Sequence, residues 1–208
     1  MTGAEMKTFT TELLDGDEMD DSVFYSMVAT VKTMVEQMRP WRHLLKTDSS
    51  KTLETTDTYA TMKTLPTDWM QYEQYNPITL VAVDNEDDVI ELKGSNFADR
   101  LKNKNSNGLF YVDVGNSKFA IINTVSKQYR IHQFYIGESA AITSPTSWSF
   151  PTRYHHLIPY MVSGMQKGGV DYDDIFARMA PENRANAQLL INSMEMWDDS
   201  LQRQDNQY

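Results

Sequence analysis

The sequence contains no cysteine. That excludes disulfides, thiolate metal sites and cysteine nucleophiles together. It also lacks a basic balance: Asp and Glu number 29 against 19 Lys and Arg, for a formal charge of -10. Stable binding along a nucleic-acid backbone needs a basic surface, so a DNA- or RNA-binding role is not expected. No apolar run approaches the roughly 18–20 residues of a membrane span. Residues 1–7 show no charged-then-apolar leader pattern, and a soluble intracellular protein is expected. The nucleotide-binding glycine patterns and the Gly-x-Ser-x-Gly elbow are missing too.

What is present is a foldable composition. The 208 residues are 40% hydrophobic and 11% aromatic, with 13 methionines. This suffices for one domain with a real core. Residues 1–19 read as a short lead-in. Asp20, Asp21 and Ser22 offer capping groups, and Phe24, Met27, Val28, Val31, Met34, Val35, Met38, Trp41 and Leu45 follow at three- and four-residue steps. Such spacing predicts a one-faced helix of about 24 residues, ~36 Å long, with Pro40 in its last turns.

From Lys51 to Ile136 the texture changes to Thr, Tyr, Val and Ile without a helical period. Ile78–Asp84 with Val89–Leu92, and Leu109–Val114 with Lys118–Asn123, predict two hairpins; Tyr129–Ile136 predicts a further strand. Ser95–Lys104 is expected to form a short helix. Helical spacing returns at Ser149–Gly169, read as one helix whose interior Pro159 bends it. A long helix follows with Ala187, Leu190, Met194, Trp197 and Leu201 on one side.

The expected fold is therefore a single α+β domain. Residues 20–46 and 149–200 would pack as a helical bundle, 51–137 would form an inserted antiparallel β lobe, and 201–208 a flexible C-terminal tail.

His155 and His156 beside Asp171, Asp173 and Asp174 invite a metal or acid–base site, as in a small hydrolase. Adjacent residues on a helix point about 100° apart, however, whereas helical ligand pairs use three- or four-residue spacing. No catalytic residue, metal ligand or cofactor is expected. The acidic runs Asp15–Asp21 and Asp84–Asp88 lack the glycine turn and distal glutamate of an EF-hand loop. Tyr and Trp favour interfaces, which brings out Trp197 on the last helix.

The order of an amphipathic helix ending in Trp41-Arg42-His43-Leu44-Leu45, then Leu65-Pro66-Thr67-Asp68-Trp69, strands closing on Phe134-Tyr135-Ile136, Phe150-Pro151 and the helix through Tyr154-His155-His156-Leu157-Ile158-Pro159-Tyr160 resembles the adaptor proteins of tailed bacteriophages. These are also called head-to-tail connector or head completion proteins. The resemblance covers roughly residues 20–200. It implies a non-enzymatic virion protein, made in the host cytoplasm, that forms a dodecameric ring joining the portal protein to a tail protein (nozzle, tube or tail fibre). DNA would pass through the ring without specific binding, which the acidic charge suits. Trp197, Leu201 and Tyr208 would belong to the portal or neighbour interface, and Phe150, Pro151 and Pro159 to the joint between lobe and helices. Another virion part, such as a tail or head decoration protein, is the alternative.

Overall fold

A computed structural model describes residues 1–58, 60–73, 77–95 and 108–205, with side chains as far as Leu201. The chain is α+β and separates into two compact units: Met1–Leu44 with Glu138–Tyr208, and Leu45–Gly137. The first unit is helical. Its α1, Gly3–Leu13, begins with a capping box in which Thr2 Oγ1 accepts from the Glu5 amide and Glu5 accepts from the Thr2 amide. These pairings satisfy amides that a helix start leaves open. The stretch expected as a lead-in is thus a helix with Met6 and Thr10 buried, and Asp15 and Gly16 end it with positive φ.

Helix α2 spans Asp21–Gln37 and buries Phe24, Val28, Val31 and Val35, the stripe seen in the sequence. It stops before Pro40, since the residue preceding a proline disfavours helix. A 3-10 turn, Arg42–Leu44, follows. Ser149–Gly169 is not one helix. After Pro151 a 3-10 turn covers Thr152–Tyr154, and α3 runs only Leu157–Gln166. Pro159 is therefore the third residue of α3 and does not bend it, because first-turn amides have no helical acceptor to lose. Helix α4 is Tyr172–Arg178 and α5 is Pro181–Asp205.

The expected bundle of 20–46 against 149–200 does not form. The helices flank the β region in the chain, and the two long ones do not pair lengthwise. Instead α1, α2, α4 and α5 each pack on the short α3. The reason lies in α3 itself: Leu157, Ile158, Pro159, Met161, Val162, Ser163 and Gly164 are all buried. A helix apolar on nearly every side must be covered all round, so it takes up the one-sided faces of its neighbours.

The second unit holds two sheets among its described residues. Strands are β1 (Leu45–Leu53), β2 (Met62–Thr64), β3 (Trp69–Tyr72), β4 (Ile78–Ala82), β5 (Val89–Glu91), β6 (Lys93–Gly94), β7 (Phe110–Gly115), β8 (Lys118–Ile122) and β9 (Tyr129–Gly137). One sheet has the order β1-β9-β4-β5, with β3 also on β9; the other is β2-β8-β7-β6. Both expected hairpins are present, one in each sheet. The lobe is not purely antiparallel: β6 pairs with β7 in parallel. Ile78, Leu80, Phe119, Ile121 and Ile131 form the common core. The helix expected at Ser95–Lys104 falls almost wholly outside the described residues.

Candidate functional site

The polar chemistry of the helical unit gathers where α2 meets the segment 138–150. Lys32 and Glu36, one turn apart on the buried side of α2, form an ion pair at 3.2 Å and are almost fully buried. Lys32 also reaches Glu138 at 3.1 Å. The Glu36 carboxylate accepts from the Ser139 hydroxyl, from the Ser139 amide at 3.2 Å and from Trp148 Nε1 at 2.9 Å. A buried charge survives only when paired and hydrogen-bonded, and this one is met from every side.

Phe150 lies in an aromatic cluster next to it. Its ring centroid is 4.3 Å from Trp148, 5.4 Å from Trp41 and 4.9 Å from His43. Trp41 Nε1 donates to Val35 O at 2.8 Å, satisfying a carbonyl at the end of α2. Trp197, half-buried on α5, adds its ring 5.2 Å from His43 and 5.8 Å from Tyr154. The next residue, Asp198, is fully buried; it accepts from the His43 amide at 3.3 Å, and Arg39 stands 3.6 Å from its other oxygen. Leu201 is half-buried, and Tyr208 lies outside the described residues.

The adjacent histidines diverge. His155 is buried, its Nε2 donates to Phe150 O at 2.6 Å, and its Nδ1 faces the Met1 main-chain nitrogen at 2.8 Å. His156 is exposed and meets the edge of Phe9 at 5.0 Å. The acids once grouped with them serve α4. Asp171 caps its N-terminus by accepting from the Asp174 amide at 2.9 Å, and Asp174 pairs with Arg178 at 3.1 Å. Among the described residues, no group of three or more His, Asp or Glu side chains is placed to hold a metal ion.

Between α1, α3 and α5 an open groove of about 460 Å³ is lined by Phe9, His156, Tyr160, Asn186, Leu189 and Leu190. Leu189 is 67% exposed and Met196, seven residues on, 74% exposed. Seven residues make two helical turns, so both stand on one outer face of α5.

No protein-family model and no curated protein matches this chain. No helix of the described residues is long and apolar enough to cross a membrane.

Sequence reasoning missed the Lys32–Glu36 clamp and Asp198. A signal for the clamp existed: both residues adjoin the Val28, Val31, Val35 stripe at a four-residue spacing, where a charged pair can be buried together. Asp198 follows Trp197 with no local cue, because its partners come from residues 39–43.

Burial pushes the His155 imidazole below the usual histidine range, although its hydrogen bond to Phe150 O works the other way. The folded state therefore takes up a proton less readily than the unfolded chain. The stability this gives is complete above the unfolded value near 6.5 and is lost as pH falls through the lower folded value. Urea unfolding of the protein is expected to show a falling midpoint below pH 6.5, and His155→Gln to flatten that slope. An unchanged slope in the variant would place the titrating group elsewhere.

Proposed function

We propose that this chain is a virion structural protein, an adaptor subunit whose closed ring joins a portal to a tail and continues the DNA channel. It performs no catalysis. The observation that carries the reading is the outer face of α5, where Leu189 stands in solvent at the groove with Phe9 and Tyr160, and Met196 stands in solvent two turns further along. Large apolar side chains left in solvent on one helix face beside a groove support a contact surface. His155, the buried member of the adjacent pair, is engaged by main-chain atoms, which suits a structural role for it. The acidic charge suits a passage through which DNA slides without adhering. Ring contacts are heterologous, and each subunit presents two different surfaces to its neighbours.

Light scattering and native mass spectrometry of the chain, alone and with the portal protein of its source phage, test this. A single closed multiple of the subunit mass is expected, on the portal if not alone. Leu189→Asp with Met196→Asp is expected to leave the circular dichroism spectrum unchanged and to abolish the assembly. A strict monomer under both conditions would overturn the proposal.

A further inference from the structure

The exposed side of α5 carries a pattern longer than its two large apolar residues. Glu182, Ala185, Leu189, Asn192, Met196 and Asp199 are all exposed and follow one another at three- and four-residue steps. The next position of the series is Arg203, within the helix that ends at Asp205. Such a series is the seam along which one helix meets another. From Glu182 to Arg203 it runs ~31 Å. It is a second face: Ala187, Ile191, Met194 and Asp198, on the other side of α5, are already buried in the unit.

The seam complements itself when reversed. A second α5 can lie against the first in the opposite direction, about a two-fold axis between Asn192 and Ser193. Leu189 then meets Met196, Glu182 meets Arg203 and Asp199 meets Asn186, each pairing occurring twice. Two copies in the same direction would instead set Glu182 on Glu182, Asp199 on Asp199 and Arg203 on Arg203. Charge at the ends of the seam therefore selects the reversed direction, as it does in coiled coils.

The groove of about 460 Å³ is a second, independent observation. It opens at Leu189, with Phe9, Tyr160 and Leu190 in its lining. Met196 lies two turns away and is 74% exposed. The reversed register brings the Met196 of each copy to the mouth of the other's groove. An unbranched thioether adapts to irregular apolar space of this kind.

We propose that the free chain is a two-fold dimer in which the α5 helices of two copies pair antiparallel, each Met196 seated at the other's groove. Such a contact is isologous and closes at two copies. It uses the face that carries the assembly reading, but it needs no portal. Its consequence for assembly, that the face stays covered until ring contacts replace the dimer, rests on that reading.

Sedimentation equilibrium of the full chain alone tests the dimer. The lack of native cysteine lets engineered disulfides read its register. A dimer is expected at about 50 μM. Leu189→Cys with Met196→Cys in one chain should give a disulfide-linked dimer under mild oxidation. Either change alone should not, because 189 meets 196 and not itself. Glu182→Arg should weaken the dimer about tenfold, and Arg203→Glu added to it should restore the affinity. Glu182, Leu189 and Met196 are exposed, so these variants should keep the parent's circular dichroism spectrum. A monomer at that concentration, a closed ring in place of the dimer, or a double cysteine variant that stays unlinked would overturn the proposal. So would linking by either single change, or a dimer indifferent to Glu182→Arg or not rescued by Arg203→Glu. The adaptor reading fails separately: a free monomer that rings on the portal sinks only the dimer, and a dimer that no portal opens sinks only the ring.

Discussion

Replacing Glu36 with alanine should destabilise the helical unit by about 3–5 kcal/mol, the scale of breaking a buried pair by removing one partner. The change leaves the Lys32 ammonium in the interior with only Glu138 as counter-charge. It also strips the acceptor from Trp148 Nε1 and from the Ser139 amide and hydroxyl. Each orphaned donor carries its own desolvation cost of about 1–3 kcal/mol, and these costs overlap rather than add. Urea unfolding followed by tryptophan fluorescence would read the loss, because Trp148 reports from the site itself. Lys32→Met together with Glu36→Leu should recover much of it, since an apolar pair needs no solvation. A single variant within about 1 kcal/mol of the parent would mean that water reaches the carboxylate and that the clamp contributes little.

Gly164→Ala is expected to destabilise the same unit by about 1–3 kcal/mol, the usual scale of overpacking. Helix propensity alone favours alanine here by ~1 kcal/mol. Tertiary contact reverses the sign. A Cβ at 164 would sit 2.4 Å from Ile175 O and 3.1 Å from the Ile175 carbonyl carbon, so α3 and α4 would have to move apart. The nearest obstacle is backbone, which cannot turn aside as a side-chain tip can. Thermal unfolding by circular dichroism is the direct measurement, and a raised midpoint would show that α4 shifts at no cost.

Much of the β unit was legible in the chain. Ile78–Ala82 and Lys118–Ile122 announce strands because β-branched and aromatic residues fit a pleated, half-buried surface. The turn at Gly115, Asn116 and Ser117, all with positive φ, was visible because Gly and Asn tolerate such backbone best. Helix α2 was legible in its apolar spacing, but its end was not: the spacing carried the helix through Pro40 to Leu45, whereas it stops at Gln37. What could not be read was pairing. Local pattern does not say that two neighbouring hairpins join different sheets, or that β6 lies parallel to β7. Nor did a resemblance resting on element order foresee α1, whose capping box hides in a polar start.

The candidate sites were less legible than the fold. The histidine pair drew attention by adjacency, yet His155 is turned inward to main-chain atoms and His156 outward to Phe9. Asp198 and the His43 amide stand 155 residues apart in the chain and meet only because α5 packs against residues 42–44.

The sequence by itself determined that helical segments stand on both sides of a β region in the chain, that cysteine chemistry is impossible, and that the formal charge is acidic. Those properties depend on residue type and on neighbours a few positions away. Tertiary structure decided that α3 would be the hub in place of a bundle, that Lys32 and Glu36 would be buried together, and that Asp198 would be enclosed against residues 39–43. Each depends on which distant surfaces meet, because burial and hydrogen-bond satisfaction belong to the packed whole and not to any segment of it.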